Sequence, residues 1–180
     1  MGIDNERATK AVAELLASFG LDANSPELQD TPNRVAAFWA ERLNGYDIDL
    51  ASELQPMAGQ VRPCPVILEQ IPFASTCEHH LAPFFGHVTL GYHPGEGGVV
   101  GLSKLIWAVH AFANRLQVQE RMTWQIFKAL ETSLRPAAWG VRVVAEHTCI
   151  AHRGVKTPGV PVITLLLGGA WLENAPDSFR

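Results

Sequence analysis

The stretch Ala137-Ala138-Trp139-Gly140-Val141-Arg142-Val143-Val144-Ala145-Glu146-His147-Thr148-Cys149-Ile150 decides the fold. Its side chains alternate, so Trp139, Val141, Val143, Ala145, His147 and Cys149 share one face of a strand over 138–150. Immediately before it, Pro136 closes a helix over 117–134 striped by Val118, Met122, Ile126 and Leu130. Ahead of that, 102–115 carries Leu102, Leu105, Ile106, Val109 and Phe112 at helical spacing. The turn Pro94-Gly95-Glu96-Gly97-Gly98 separates this helix from 84–92, where Val88, Leu90 and Tyr92 share a face. Residues 66–76 read as a strand interrupted by Pro72, and 160–172 as a last apolar strand.

Toward the start the period is helical. Residues 6–19 carry Ala11, Val12, Leu15, Leu16 and Phe19 and end at Gly20. A second helix begins near Thr31-Pro32, capped by Asp30 or Thr31, and runs through Val35, Ala36, Phe38, Trp39 and Leu43 to Gly45. Residues 46–65, with Pro56, Gly59, Pro63 and Pro65, read as a connector. The order predicts an α+β fold: an antiparallel four-stranded sheet (ββααββ) with a helix pair on one face. Residues 1–50 form an N-terminal helical extension and 51–180 the sheet-bearing domain. An open sheet with edges and one thinly covered face predicts lateral association between copies.

The chain has 180 residues, 47% hydrophobic and 18% charged, enough to bury a core and too apolar for disorder. Its net charge of −4 argues against a dedicated nucleic-acid binder. No run approaches the ~18 apolar residues of a membrane span. The polar opening Met1–Arg7 predicts no export signal. Three cysteines at irregular positions (Cys64, Cys77, Cys149) do not make a disulfide framework and suit a cytoplasmic protein with free thiols.

The densest chemistry is Ser75-Thr76-Cys77-Glu78-His79-His80, with His147-Thr148-Cys149 as its complement. Cysteine and histidine are the ligands Zn2+ prefers, and three protein ligands with an open position mark a catalytic site. Cys77 and His80 would face opposite sides of a straight strand, so joint ligation requires a turn at 77–80. Cys149 on its strand supplies a third ligand, which leaves His79 and His147 as proton-transfer groups near neutral pH. The alternative is a cysteine acting as a small buried hydrophobe, since two distant half-motifs need not meet. Gly101-Leu102-Ser103-Lys104 opens a helix and suits a phosphate, or is an ordinary first turn. Within Gln117-Val118-Gln119-Glu120-Arg121, Glu120 and Gln119 suit a heterocycle edge, or a favourable acidic first turn. Arg153-Gly154 is an anion contact or a turn.

Together these segments resemble GTP cyclohydrolase I. The matching pieces are Asp30-Thr31-Pro32-Asn33-Arg34, Ser75 to His80 with Leu81-Ala82-Pro83-Phe84-Phe85-Gly86, Gly101 to Leu105, Arg115 to Thr123, Glu146 to Cys149 and Arg153-Gly154-Val155. They run in family order over about residues 5–173. The resemblance implies a T-fold assembled side by side into a toroidal homo-oligomer, two pentameric rings stacked into a decamer, with active sites between subunits. It implies Zn2+ held by Cys77, His80 and Cys149, with His147 as the main acid/base group and His79 as the second. It implies a guanine nucleotide substrate opened at C8 with formate release and closure to a dihydropterin. Gln119 and Glu120 match guanine-holding groups, with Leu102 and Val118 beside the substrate. Ser103, Lys104 and Arg153 match polyphosphate contacts, and Arg34 joins them.

The chain departs from the family pattern at the phosphate end. Trp107 stands where an arginine is usual, Ala37 where a lysine is frequent, and Val160 and Val162 where a serine and a threonine are common. A charged hydrogen bond contributes roughly 1.5–3 kcal/mol, so losing one or two weakens binding by about one to four decades. His110, His152 and Lys156 are candidate replacements. Three readings follow: GTP itself, a related purine with fewer phosphates or a different tail, and a non-catalytic zinc-stabilised scaffold. Retention of His79 and His147, which ligation does not need, speaks against the last.

Overall fold

Alternation over 66–77 and 82–93 builds the two longest strands, β1 (Val66–Cys77) and β2 (Ala82–His93). The computed structural model describes residues 3–57, 64–95 and 98–180. Gly59 and Pro63 of the connector, and Glu96 and Gly97 of the glycine-rich turn, lie outside the described residues. The chain begins with α1 (Asn5–Ser18) and α2 (Thr31–Arg42). Asp4 caps α1 by accepting the Arg7 amide, while Pro32 starts α2 with no side-chain cap bond from Asp30. α2 stops at Arg42, short of Gly45, and the connector is more ordered than its composition predicts: a 3-10 turn (Asn44–Asp47) leads into it and it holds a short helix, α3 (Leu50–Glu53).

After β1 and β2 come α4 (Leu102–Ala113), the two-residue β3 (Leu116–Gln117), α5 (Gln119–Leu134), β4 (Ala138–His147), a single helical turn α6 (Thr148–Ala151) and β5 (Val162–Gly169). The sheet order is β3-β1-β2-β4-β5. The four long strands pair antiparallel, as predicted, but the sheet has five strands because β3 adds in parallel beside Thr76 and Cys77. Two residues are too short to show a period, so this strand has no sequence signal.

Pro72 does not interrupt β1; it pairs with His87. Its missing N–H costs little because β3 covers the far side of β1 only at Thr76 and Cys77. The register shift falls instead between Leu68 and Ile71, where Gln70 takes φ +56°.

One face of the sheet carries the helices. Phe73, Phe84, Val88, Leu90, Tyr92, Val141 and Val143 pack with Leu105, Val109 and Phe112 of α4 and Met122, Ile126 and Leu130 of α5. Each such aliphatic side chain contributes about 1.5–3 kcal/mol when fully buried. In the two predicted helical stripes, Leu102 and Ile106 are exposed, and Val118 caps α5 in extended conformation rather than lying within it. On the other face Trp171 and Phe179 cover Ala138, while Ile163, Leu165 and Phe85 remain exposed.

The 3-10 turn is tied tightly to the α4–β3 junction. Gly45 N donates to Asn114 O, Arg115 Nε donates to Gly45 O at 2.9 Å, and the Leu116 amide donates to Tyr46 Oη at 3.2 Å. A Cβ on Gly45 would lie 2.1 Å from Ala111 O, so only glycine fits.

Candidate metal and catalytic site

The turn required at 77–80 is present. β1 ends at Cys77, residues 78–81 reverse the chain, and Leu81 closes the turn in the left-handed region at φ +52°. Two contacts hold this turn, and a third ties its anchor to β3. The Glu78 amide donates to Gln117 O at 3.0 Å, Arg121 pairs with the Glu78 carboxylate, and the same guanidinium donates to Leu116 O at 2.8 Å. Its hydrogen bond holds the Glu78 carboxyl below the usual carboxylate range. Arg121 therefore fastens the first turn of α5 to β3 and to the Cys77 turn.

Cys149 reaches the same place by a different route than expected. The strand stops at His147, where the ladder to β2 ends at the Phe84 pair and the ladder to β5 has already ended at Ala145. Thr148 then starts α6, its hydroxyl donating to Pro83 O at 2.6 Å, and Cys149 sits on that helical turn. With no partner strand to extend the ladder, a helical turn satisfies the backbone locally.

The ligand atoms of Cys77, His80 and Cys149 all lie within 4.8 Å of one another. Two thiols and an imidazole form a soft donor set suited to Zn2+. Arg153 Nη1 lies 2.7 Å from His80 Nε2. A guanidinium only donates, so Nε2 is unprotonated and accepts from Arg153, and a cation bound at this nitrogen would displace that hydrogen bond. Burial, then the neighbouring Cys77 thiol, pushes the Cys149 thiol up. A divalent cation would reverse that by favouring the thiolate. The residues present fit a metal.

Beside this cluster lies a cavity of about 220 Å³ lined by Cys77, His79, Val118, Glu120, His147 and Val162, among others. It is smaller than the ~300–1,000 Å³ of most ligand clefts and suits a heterocycle more than a whole nucleotide. His147 stacks on Phe84 with ring centroids 4.6 Å apart and planes 4° apart. Burial pushes its pKa below the usual imidazole value, and the Glu120 carboxylate pulls the other way. His79 is exposed, with Nδ1 3.9 Å from the Cys77 sulfur.

The fold thus brings together Cys77, His79, His80, Cys149, His147, Val118, Gln119, Glu120 and Arg153. It does not bring Arg34, Leu102, Ser103 or Lys104 to this cavity within one chain. Arg34 pairs with Asp30 on α2, and Lys104 pairs with Glu53. Gln119 is 1% exposed and lines the same cavity as Glu120, with its amide nitrogen directed inward to Val143 O and Val162 O. Phe84 and Arg121 were given no role from sequence. The parity of β2 places Phe84 with Val88 and Leu90 on the helix-facing side, which is the available signal for the first.

The model of the GTP cyclohydrolase I family matches residues 8–178. GTP cyclohydrolase 1 of Streptococcus agalactiae serotype V is 39% identical over 95% of this chain and 91% of its own length. The Halalkalibacterium halodurans protein of the same name is 41% identical over 96% of this chain and 92% of its own. Among solved structures, the archaeosine synthase QueF-Like in its apo form is similar over 61% of this chain and 98% of its own, at 19% identity and a TM-score of 0.48. On the family match and the two relatives, this chain belongs to the GTP cyclohydrolase I family.

Proposed function

We propose that this chain hydrolyses the imidazole ring of GTP at C8, releasing formate and closing a dihydropterin, with Zn2+ held by Cys77, His80 and Cys149. The observation that carries the proposal is the convergence of these ligands with His147 and Glu120 on one small cavity. When bound, zinc supplies Lewis acidity and a water acidic enough to act as nucleophile near neutral pH. The rest of the reaction falls to the chain's own side chains.

Glu120 offers two acceptors to the N1–H and amino group of guanine. Adenine presents an acceptor at N1 and leaves the carboxylate unpaired, which gives selectivity. His147 exchanges a proton with the ring nitrogen next to C8, making that carbon more electrophilic. His79, at the exposed edge of the cavity, serves the later proton transfers. Val118 flanks the base, and Leu102 of a neighbouring copy flanks it from the other side. Arg153 meets the phosphates.

Arg34, Ser103 and Lys104 reach the tail from a neighbouring copy, in the toroidal decamer that the family resemblance implies. Residues 1–50 act as a helical extension of the 51–180 unit. A cytoplasmic setting keeps the thiols reduced; among the described residues no helix is long and apolar enough to cross a membrane.

Incubation of zinc-loaded protein with GTP tests the reading. Formate and, after oxidation, a fluorescent pterin are expected; their absence from metal-loaded protein overturns it. A second reading, a guanine-like substrate with fewer phosphates, is favoured by Trp107 and by the engagement of Lys104 with Glu53. Titration with guanine, guanosine, GMP and GTP separates the two. Affinity rising steeply with phosphate number supports GTP, and a flat series supports the shorter substrate.

A further inference from the structure

Gln119 is the first residue of α5, and it is one of the most deeply buried polar side chains of the sheet–helix layer. Its Nε2 lies 3.2 Å from Val143 O, 3.0 Å from Val162 O and 3.1 Å from Thr164 Oγ1. Two of these partners are backbone carbonyls, which only accept. That end of the amide must therefore be the NH2 group, because a flipped amide would set its oxygen against two carbonyl oxygens. The hydroxyls agree. Thr123 Oγ1 donates to Gln119 O at 2.8 Å, so Thr164 Oγ1, 2.6 Å from Thr123 Oγ1, donates to Thr123 and keeps a lone pair for the Gln119 amide.

With the amide orientation fixed by its surroundings, its oxygen is what faces His147. Gln119 Oε1 lies 2.8 Å from His147 Nε2. An amide oxygen cannot donate, so the hydrogen in this contact belongs to the imidazole. The stack on Phe84 holds the ring plane, and turning the ring over within that plane would put a carbon in place of Nε2 and lose the hydrogen bond to Gln119.

We infer that Gln119 is a positioning residue that holds neutral His147 as the Nε2–H tautomer, leaving Nδ1 as the atom that exchanges a proton with the substrate. The inference deepens the proposed function and rests on it for the identity of the substrate. It differs from a guanine-reading role, which would need a free amide edge; every polar atom of this side chain is already engaged. The logic is that of the oriented histidines of hydrolytic sites, where a second group selects which ring nitrogen is protonated. Here the orienting group is neutral, so it selects the tautomer without adding a charge that would stabilise the imidazolium.

The tautomer is testable without any turnover. In full-length, zinc-loaded protein labelled with 15N-histidine, solid-state 15N spectra report each ring nitrogen. The His147 signals are assigned by their loss in His147→Phe. At a pH where His147 is neutral, a protonated Nε2 and an unprotonated Nδ1 are expected. A protonated Nδ1 with a bare Nε2 overturns the inference, whether or not the protein releases formate. Correct tautomer without formate release from GTP would instead sink the proposed function and leave the inference standing.

Gln119→Leu supplies the second arm. Bound zinc and KM for GTP are expected to stay within about twofold, while kcat falls about 100-fold, the low end of what a positioned acid–base group contributes. A large rise in KM with kcat preserved would mean that Gln119 reads the base, and would also overturn the inference. If the leucine variant fails to fold, the wild-type tautomer decides alone.

Discussion

The two ends of the site are built differently. At the metal and base end, Cys77, Cys149, His147 and Gln119 come from β1, α6, β4 and α5 of a single chain, and each is locked by neighbours of that chain. At the proposed phosphate end, Leu102, Ser103, Lys104 and Arg34 are exposed, and the charged ones rest on acidic partners of their own surface. Preorganisation belongs where charge develops during reaction, because fixed groups need not reorganise then. Binding of a flexible anionic tail tolerates side chains recruited from elsewhere. The sequence departures do not all follow this division: Trp107 lies on α4 with the exposed residues, Val162 lines the cavity itself, and none falls among the ligands.

The sharpest way to break this contrast is at the metal. Cys149→Ser, or removal of zinc by a strong chelator, is expected to abolish formate release, with zinc restoring activity only to the chelated wild type. Atomic absorption alongside the formate assay checks it, and undiminished turnover in metal-free protein would end the account. His147→Phe keeps a ring to stack on Phe84 but carries no proton. It should lower kcat by about 100- to 10,000-fold with zinc content unchanged.

Glu120→Gln tests the base end without touching the metal. One acceptor to guanine becomes a donor, and the lost charged hydrogen bond costs about 1.5–3 kcal/mol. KM for GTP should rise roughly 10- to 150-fold, and calorimetry with guanosine should show a similar loss. The smallest effect is expected at the recruited end. Lys104→Ala should weaken GTP by about tenfold and guanosine not at all, because an exposed cation contributes little beyond its phosphate contact. An equal loss for both ligands would show that the two ends are not separable.

Much of this was readable in the sequence, and the gaps have physical causes. Val88, Leu90 and Tyr92, and Met122, Ile126 and Leu130, lie inward as their periods predict, since burial and period share one origin. The turn at 77–80 followed from ligand geometry. Cys149 was misplaced on β4 because a strand ends where its neighbours' ladders end, which no local pattern records. The two-residue β3 is too short to carry a period, and the irregularity at Gln70 depends on the pairing with β2, which is not local either. Gln119 read as a polar residue at a helix start, an exposed position by default. Only the tertiary structure shows α5 driving it down between β4 and β5.

The glycine at position 45 shows how far the demands of the site extend. Its missing side chain lets the segment after α2 lie against the end of α4, where Tyr46 takes up the Leu116 amide. Leu116 and Gln117 are the residues that flank the end of β1 at Thr76 and Cys77. Trimming the first fifty residues as a dispensable leader would therefore unmoor the backbone next to a metal ligand. One methyl group added at Gly45 would wedge apart the same joint, and the damage would register as a loosened backbone beside Cys77.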